Sequence, residues 1–142
     1  MSGWLLDTNV ISELRRPRPN RSVVEFVASV PASRLFISIA SMAEFRAGIE
    51  EADDPAGREM LARWLDQTVR PMFEGRVLGL TEDVLKKWLL LVKQGRKRRS
   101  TLPYPDALIA ATAAHHGLTI ATRNVRDFEP FGVEVLNPWA TD

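Results

Sequence analysis

The sequence predicts an α/β fold in which a central parallel sheet of four to five strands is flanked by helices on both faces. Three observations carry this. Short apolar runs such as Trp4-Leu5-Leu6 and Leu35-Phe36-Ile37 read as strands buried on both sides, the signature of a parallel sheet. Each run is followed by one or two stretches whose apolar residues recur at helical spacing. Proline and glycine punctuate the joints between them.

The elements follow in order. Gly3 to Leu6 forms the first strand and stops at Asp7. Residues 8–14 start a short helix that Pro17 and Pro19 end. Ser22 opens a helix to about Val30, with Glu25 three residues on as a capping box and Pro31 closing the segment. Leu35 to Ile39 is the second strand. Ser41 opens a helix to about Glu51, Asp53-Asp54-Pro55 breaks it, and a further helix runs from about Pro55 to Val69. Pro71 to Gly75 is a loop and Arg76 to Leu80 the third strand. Thr81 caps a long helix with Val84, Leu85, Trp88, Leu89, Leu91 and Val92 as its apolar residues, ending near Gly95. A loop carries Arg96 to Arg99 and Pro103-Tyr104-Pro105. Asp106 to His116 is a helix of small residues ended by Gly117, with His115 and His116 suited to its carboxyl end. Leu118 to Thr122 is the fourth strand and Val133 to Leu136 the fifth. No repeat, linker or low-complexity stretch interrupts this, so residues 1–142 read as one domain.

Composition narrows the class. There is no cysteine, which excludes disulfides and thiolate metal sites. Nineteen Lys and Arg stand against 18 Asp and Glu, so the net charge of +1 produces no global field toward nucleic acid. The cations are clustered instead: Arg15, Arg16, Arg18 and Arg21 in one early loop, and Arg96, Lys97, Arg98 and Arg99 in a later one. Either run serves as a solvated loop or as a grip on a phosphate backbone. The amino terminus lacks a basic stretch and meets Asp7 early, so it does not read as a signal peptide. The longest strongly apolar run, Trp88 to Val92, is far short of the ~20 residues a membrane span needs. The expectation is a cytoplasmic protein without membrane contact.

In open α/β sheets ligands sit beyond the carboxyl ends of the strands. Asp7 follows the first strand there, Thr122, Arg123 and Asn124 follow the fourth, Glu44 lies in the first turn of the helix after the second strand, and Asp106 opens the helix leading to the fourth. Each acid has a purely structural reading. Asp7 can cap the first helix. Glu44 can complete a capping box with Ser41. Asp106 suits a helix dipole, and Asp127 can be a turn residue. Taken together, they can converge, and clustered carboxylates stay ionised together only with a cation among them. Without Cys, and with only the adjacent His115 and His116, the donors are all oxygen, which favours Mg²⁺ or Mn²⁺ over Zn²⁺.

Four stretches in order resemble the PIN-domain family, and within it the VapC- and FitB-like toxins. They are Leu5-Leu6-Asp7-Thr8-Asn9-Val10-Ile11-Ser12-Glu13, Ser41-Met42-Ala43-Glu44-Phe45-Arg46-Ala47-Gly48-Ile49, Pro105-Asp106-Ala107-Leu108-Ile109-Ala110-Ala111-Thr112-Ala113 and Ala121-Thr122-Arg123-Asn124-Val125-Arg126-Asp127-Phe128, followed by the ending Leu136-Asn137-Pro138-Trp139. The resemblance implies a PIN-like fold and Mg²⁺- or Mn²⁺-dependent cleavage of RNA, with tRNA or rRNA as the expected target. It places Asp7, Glu44 and Asp106 as metal-binding acids. The family's fourth acid often falls where this chain has Asn124, and Asp127 is the nearest replacement. Thr8, Asn9, Thr122 and Asn124 are then polar supports, and Arg15, Arg16, Arg96, Lys97, Arg98 and Arg99 candidate RNA contacts.

The resemblance further implies a VapB-like antitoxin partner, a homodimer, and a heterotetramer or larger assembly. The apolar residues Ile49, Met60, Leu61, Trp64 and Leu65 are expected to offer a groove to the antitoxin's carboxyl-terminal segment, and Gly48 to admit a close approach by another chain or helix. Three other readings stay open from the residues. One is a non-catalytic PIN-type module that binds RNA or protein. Another is a phosphotransferase using Asp7 as nucleophile, disfavoured because Asn9 stands where a second acid belongs. The third is DNA cleavage by the same acids.

Overall fold

The computed structural model describes residues 3–97 and 104–140. Arg98, Arg99 and Pro103 lie outside the described residues, as does the side chain of Tyr104.

Five strands form one parallel sheet: β1 (Trp4–Leu6), β2 (Leu35–Ser38), β3 (Val77–Leu78), β4 (Thr119–Ala121) and β5 (Val135–Leu136). Their order is β3-β2-β1-β4-β5. The chain builds outward from β1 through β2 to β3, crosses back through helices, and adds β4 on the other side of β1. The boundary between β1 and β4 is therefore the switch point of the topology, where ligands bind in such sheets. β1 pairs with β4 through Trp4 with Thr119, Leu5 with Ile120 and Leu6 with Ala121.

The helices are α1 (Thr8–Arg15), α2 (Arg21–Ser29), α3 (Ile39–Glu51), α4 (Pro55–Trp64), α5 (Arg70–Met72), α6 (Glu82–Gly95), α7 (Tyr104–His116) and α8 (Val125–Phe128). Alternation along a strand sends neighbouring side chains to opposite faces. Leu5 and Ile120 enter one core with Val84, Leu91 and the buried face of α7. Leu6 and Ala121 enter the other with Val10, Ile11, Val23, Ile37, Met42 and Phe73. Residues 107–113 of α7 are all buried, as a helix apolar on every side must be. Its one polar member there, Thr112, donates its hydroxyl to the Leu108 carbonyl at 2.8 Å. Gly117 ends α7 with φ of 66°, a left-handed conformation that glycine adopts freely. Trp64 and Trp88 are both partly buried against the cores.

Several expectations are corrected. Asn20, not Ser22, caps α2, its Oδ1 accepting from Val23 N at 3.2 Å, while Glu25 pairs with Arg21 at 3.2 Å. Ser38, not Ser41, caps α3, its hydroxyl accepting from Ala40 N at 3.0 Å. The helix thus begins two residues before Ser41, the Ser41–Glu44 capping box does not form, and Glu44 falls in the second turn. The chain between α4 and α5 is not a helix followed by a loop. Leu65–Val69 is a π-turn, with Arg70 N bonded to Leu65 O, and helix resumes to Met72. The reason is Pro71, which has no N–H and whose ring would crowd the carbonyl four residues back. The segment around Asp127 is not a loop but the short helix α8.

Among the described residues nothing approaches Gly48: a Cβ there would meet open space. The groove expected between α3 and α4 is a cleft of about 410 Å³, but charge dominates its walls. Ile49, Ala62 and Leu65 line it with Arg46, Glu50, Asp66 and Arg70, and Met60 is exposed outside it.

Candidate active site

The site grows from the end of β1. Asp7 N still donates to Ala121 O at 3.0 Å, so the backbone keeps strand pairing through this residue. Its φ of −72° and ψ of 158° then let the side chain cap α1, with Thr8 N donating to Oδ1 at 2.8 Å. Capping and chemistry use the same geometry. The other oxygen faces β4: Thr122 Oγ1 donates to Asp7 Oδ2 at 2.8 Å. Asn9 Nδ2 reaches both Asp7 Oδ2 at 3.4 Å and Thr122 Oγ1 at 3.2 Å. Asn9 Oδ1 accepts from Arg123 N at 3.3 Å, and Thr122 Oγ1 accepts from Asn124 N at 3.1 Å. Thr8, Asn9 and Thr122 therefore hold Asp7 in one orientation, while Asn124 contributes by its backbone alone and its side chain is exposed.

Asp7 is only 5% exposed. Burial pushes its carboxyl above the usual range, the bonds from Thr122 and Thr8 pull it back, and the charge of Asp127 raises it again. Glu44, from α3, stands at the rim, raised first by burial and then by the charge of Asp7. Asp106, in the first turn of α7, is pushed up to about 7 by burial and by the charges of Asp7, Asp127 and Glu44. Of the acids read from the sequence, Asp106 is acted on by the charges of Asp7, Asp127 and Glu44, Asp7 by that of Asp127, and Glu44 by that of Asp7. Among the described residues no three carboxylate or imidazole side chains stand close enough to hold an ion as they are placed.

The donor set fits a hard divalent cation: carboxylate and hydroxyl oxygens only, and only negative charges acting on Asp106. Asp127 is partly buried in α8 and acts on both Asp7 and Asp106, a reach that Asn124 lacks in charge.

The basic candidates are less concentrated. Arg15 lies over the Trp64 ring, 5.7 Å from its centroid, and Arg16 pairs with Glu13 at 3.4 Å. Arg96 and Lys97 are exposed at the end of α6. Sequence reasoning passed over Glu13, a carboxylate 6% exposed on the inner face of α1. Its Oε2 accepts from Asn20 N at 2.8 Å and clips the arginine-bearing loop shut; that bond, ahead of the Arg16 and Arg123 charges, holds its carboxyl below the usual range. An acid on the apolar face of a helix was the available signal. Sequence reasoning noted Arg123 only as a polar residue after the fourth strand and did not foresee its place over Trp139, with the guanidinium carbon 5.2 Å from the ring centroid.

No helix among the described residues is long and apolar enough to cross a membrane. The chain matches the PIN domain family over residues 4–131. It is 36% identical over 135 residues to Toxin FitB of Neisseria gonorrhoeae, covering 95% of this chain and 97% of that protein. It is also 36% identical over 137 residues to a VapC ribonuclease of Sinorhizobium fredii, covering 95% and 96%. Among solved structures, FitAcB from Neisseria gonorrhoeae superposes with a TM-score of 0.90 at 36% identity over 97% of this chain and 99% of that one. FitAB bound to a DNA fragment superposes with 0.89 at 34% identity, covering 98% and 97%. With the parallel sheet, the acids at its switch point and these matches along nearly its whole length, the chain belongs to the PIN domain family.

Proposed function

We propose that this chain is a metal-dependent endoribonuclease, the toxin of a type II toxin–antitoxin pair, cleaving phosphodiesters of tRNA or rRNA. The observation that carries the reading is the gathering of carboxylate charge at the β1/β4 switch point, where Asp7, Glu44 and Asp127 all act on the half-buried Asp106. Burial first, and then the charges of Asp7, Asp127 and Glu44, push Asp106 up to about 7, and a cation among the carboxylates would favour their ionised forms.

Asp7, Glu44 and Asp106 would hold Mg²⁺ or Mn²⁺, with Asp127 near enough in charge to contribute. When bound, such an ion supplies charge neutralisation at the scissile phosphate and lowers the pKa of a water. The chain's own residues do the rest. Thr122, Thr8 and Asn9 fix both oxygens of Asp7, so the acid is oriented before any ligand arrives. Arg and Lys residues of the two basic loops hold the RNA backbone. The relatives' complexes support an antitoxin partner of the VapB type and a hetero-oligomer with it, and the same reading carries a toxin homodimer and a cytoplasmic setting as expectations. One domain spans the chain.

The test is cleavage of a panel of tRNAs and structured rRNA fragments with Mg²⁺, Mn²⁺ or EDTA, beside Asp7→Asn and Asp106→Asn. Cuts that need metal and vanish in both variants support the reading. Absence of cutting together with absence of Mn²⁺ binding by calorimetry overturns it in favour of a non-catalytic binding module.

A further inference from the structure

We propose that Arg123 is an RNA-positioning cation, held against Trp139 so that its guanidinium grips a backbone phosphate next to the one lying over Asp7. The inference rests on the nuclease reading and names a residue that the charge clusters of the sequence did not.

The turn after β4 is anchored to the acid centre on both sides of Arg123. Thr122 before it bonds Asp7, Asn124 after it bonds Thr122, and Arg123's own N–H donates to Asn9 Oδ1 at 3.3 Å. The backbone of Arg123 is thus fixed one residue from the group that orients the central acid. Its side chain is exposed, and among the described residues it enters no ion pair. Here the charges acting on Asp7, Glu44 and Asp106 do not include Arg123, and its charge is felt instead at Glu13.

Trp139 explains the separation. The strap after β5 turns through Asn137, whose Oδ1 accepts from Trp139 N at 2.9 Å. The indole packs against the core of Leu6, Val10 and Ala121, so the ring is a fixed platform. Stacking occupies the face of a guanidinium and leaves its in-plane N–H donors free. Those donors match a phosphate bidentately, with little freedom left to lose. The outcome is a cation placed at the rim without neutralising the acids that need a metal.

The experiment measures fluorescence anisotropy of a labelled single-stranded oligoribonucleotide with Ca²⁺ in place of Mg²⁺, strand integrity checked by gel, across a salt series. Arg123→Ala is expected to weaken binding about tenfold and to reduce the slope of log K against log salt by about 0.7, one single-strand phosphate. Arg123→Lys retains the slope. Trp139→Leu, which keeps the charge and removes the ring, weakens binding, while Trp139→Phe retains it. Mn²⁺ affinity by calorimetry stays at the wild-type value in Arg123→Ala, which shows the acid centre to be folded. Wild-type affinity and slope in Arg123→Ala overturn this proposal alone. So does a changed Mn²⁺ affinity, which would place the residue's action on the acids. Failure of the wild-type protein to bind the strand at all overturns the nuclease reading together with it.

Discussion

The hydroxyl of Thr122 donates to Asp7 Oδ2 at 2.8 Å, joining two residues 115 positions apart and tying the end of β4 to the end of β1. It is the main hydrogen bond restraining the buried acid's rise in pKa. Thr122→Val keeps the shape and removes the donor, so Asp7 is expected to turn and to hold its proton more tightly. Mn²⁺ affinity and cleavage rate should both fall, by about 10–100-fold, whereas Thr122→Ser retains them. Calorimetry and a cleavage time course check this, and unchanged metal affinity in Thr122→Val would remove the hydroxyl from the site.

The raised carboxyls set the pH dependence of the metal-free protein. Asp106 ionises near 3.8 when unfolded and at about 7 when folded. Between those values the folded state binds the extra proton, so stability falls as pH rises through the window. Metal-free protein is expected to be more stable near pH 5 than near pH 8, by about 1 kcal/mol after allowing for solvent screening. Glu13 and His116, both lowered, act in the opposite sense toward the ends of the window. Thermal denaturation in EDTA reads the slope. Asp106→Asn should flatten it, and saturating Mn²⁺ should raise the melting temperature most at the higher pH.

Asn20 caps α2 and also sends its N–H to Glu13. Only the first of these depends on its side chain. Asn20→Ala is expected to cost about 1 kcal/mol by urea denaturation, and Asn20→Ser or Asn20→Asp to restore most of it. Ser22→Ala, by contrast, should be nearly silent.

Gly48 stands in the interior of α3 with open space where a side chain would be. Gly48→Ala is expected to raise stability by roughly 0.5–1 kcal/mol, because alanine loses less backbone freedom on folding. A loss of stability in the same denaturation assay would mean that another copy of the chain closes on that face.

The acids were legible because each sits at a landmark that local pattern defines. Asp7 ends an apolar run, Asp106 follows a proline at a helix start, and a parallel sheet sends such positions to one end. What local pattern could not settle was which of two hydroxyls caps a helix. Ser38 wins over Ser41 because β2 stops pairing there and frees the backbone to turn, a fact about the neighbouring strand. The same limit hid the contact of Arg123 with the Trp139 ring, which depends on where the strap after β5 returns. At Gly48 no helix of the described chain comes close, so glycine there signals either a second chain or simple tolerance, which local pattern does not separate. Charge clusters drew attention to Arg15 and Arg16, yet both are engaged within the chain.

The sheet order carries a temporal consequence. β1 is the first strand made and the middle strand of the finished sheet, and its second neighbour, β4, is translated long afterwards. Until the chain beyond β4 is made, Asp7 has neither the Thr122 hydroxyl nor the nearby charge of Asp127, and the ring over which Arg123 lies comes later still, after β5. Contacts of such long sequence separation form late. The buried acid of the first element is thus given its orientation by residues from near the other end of the sequence.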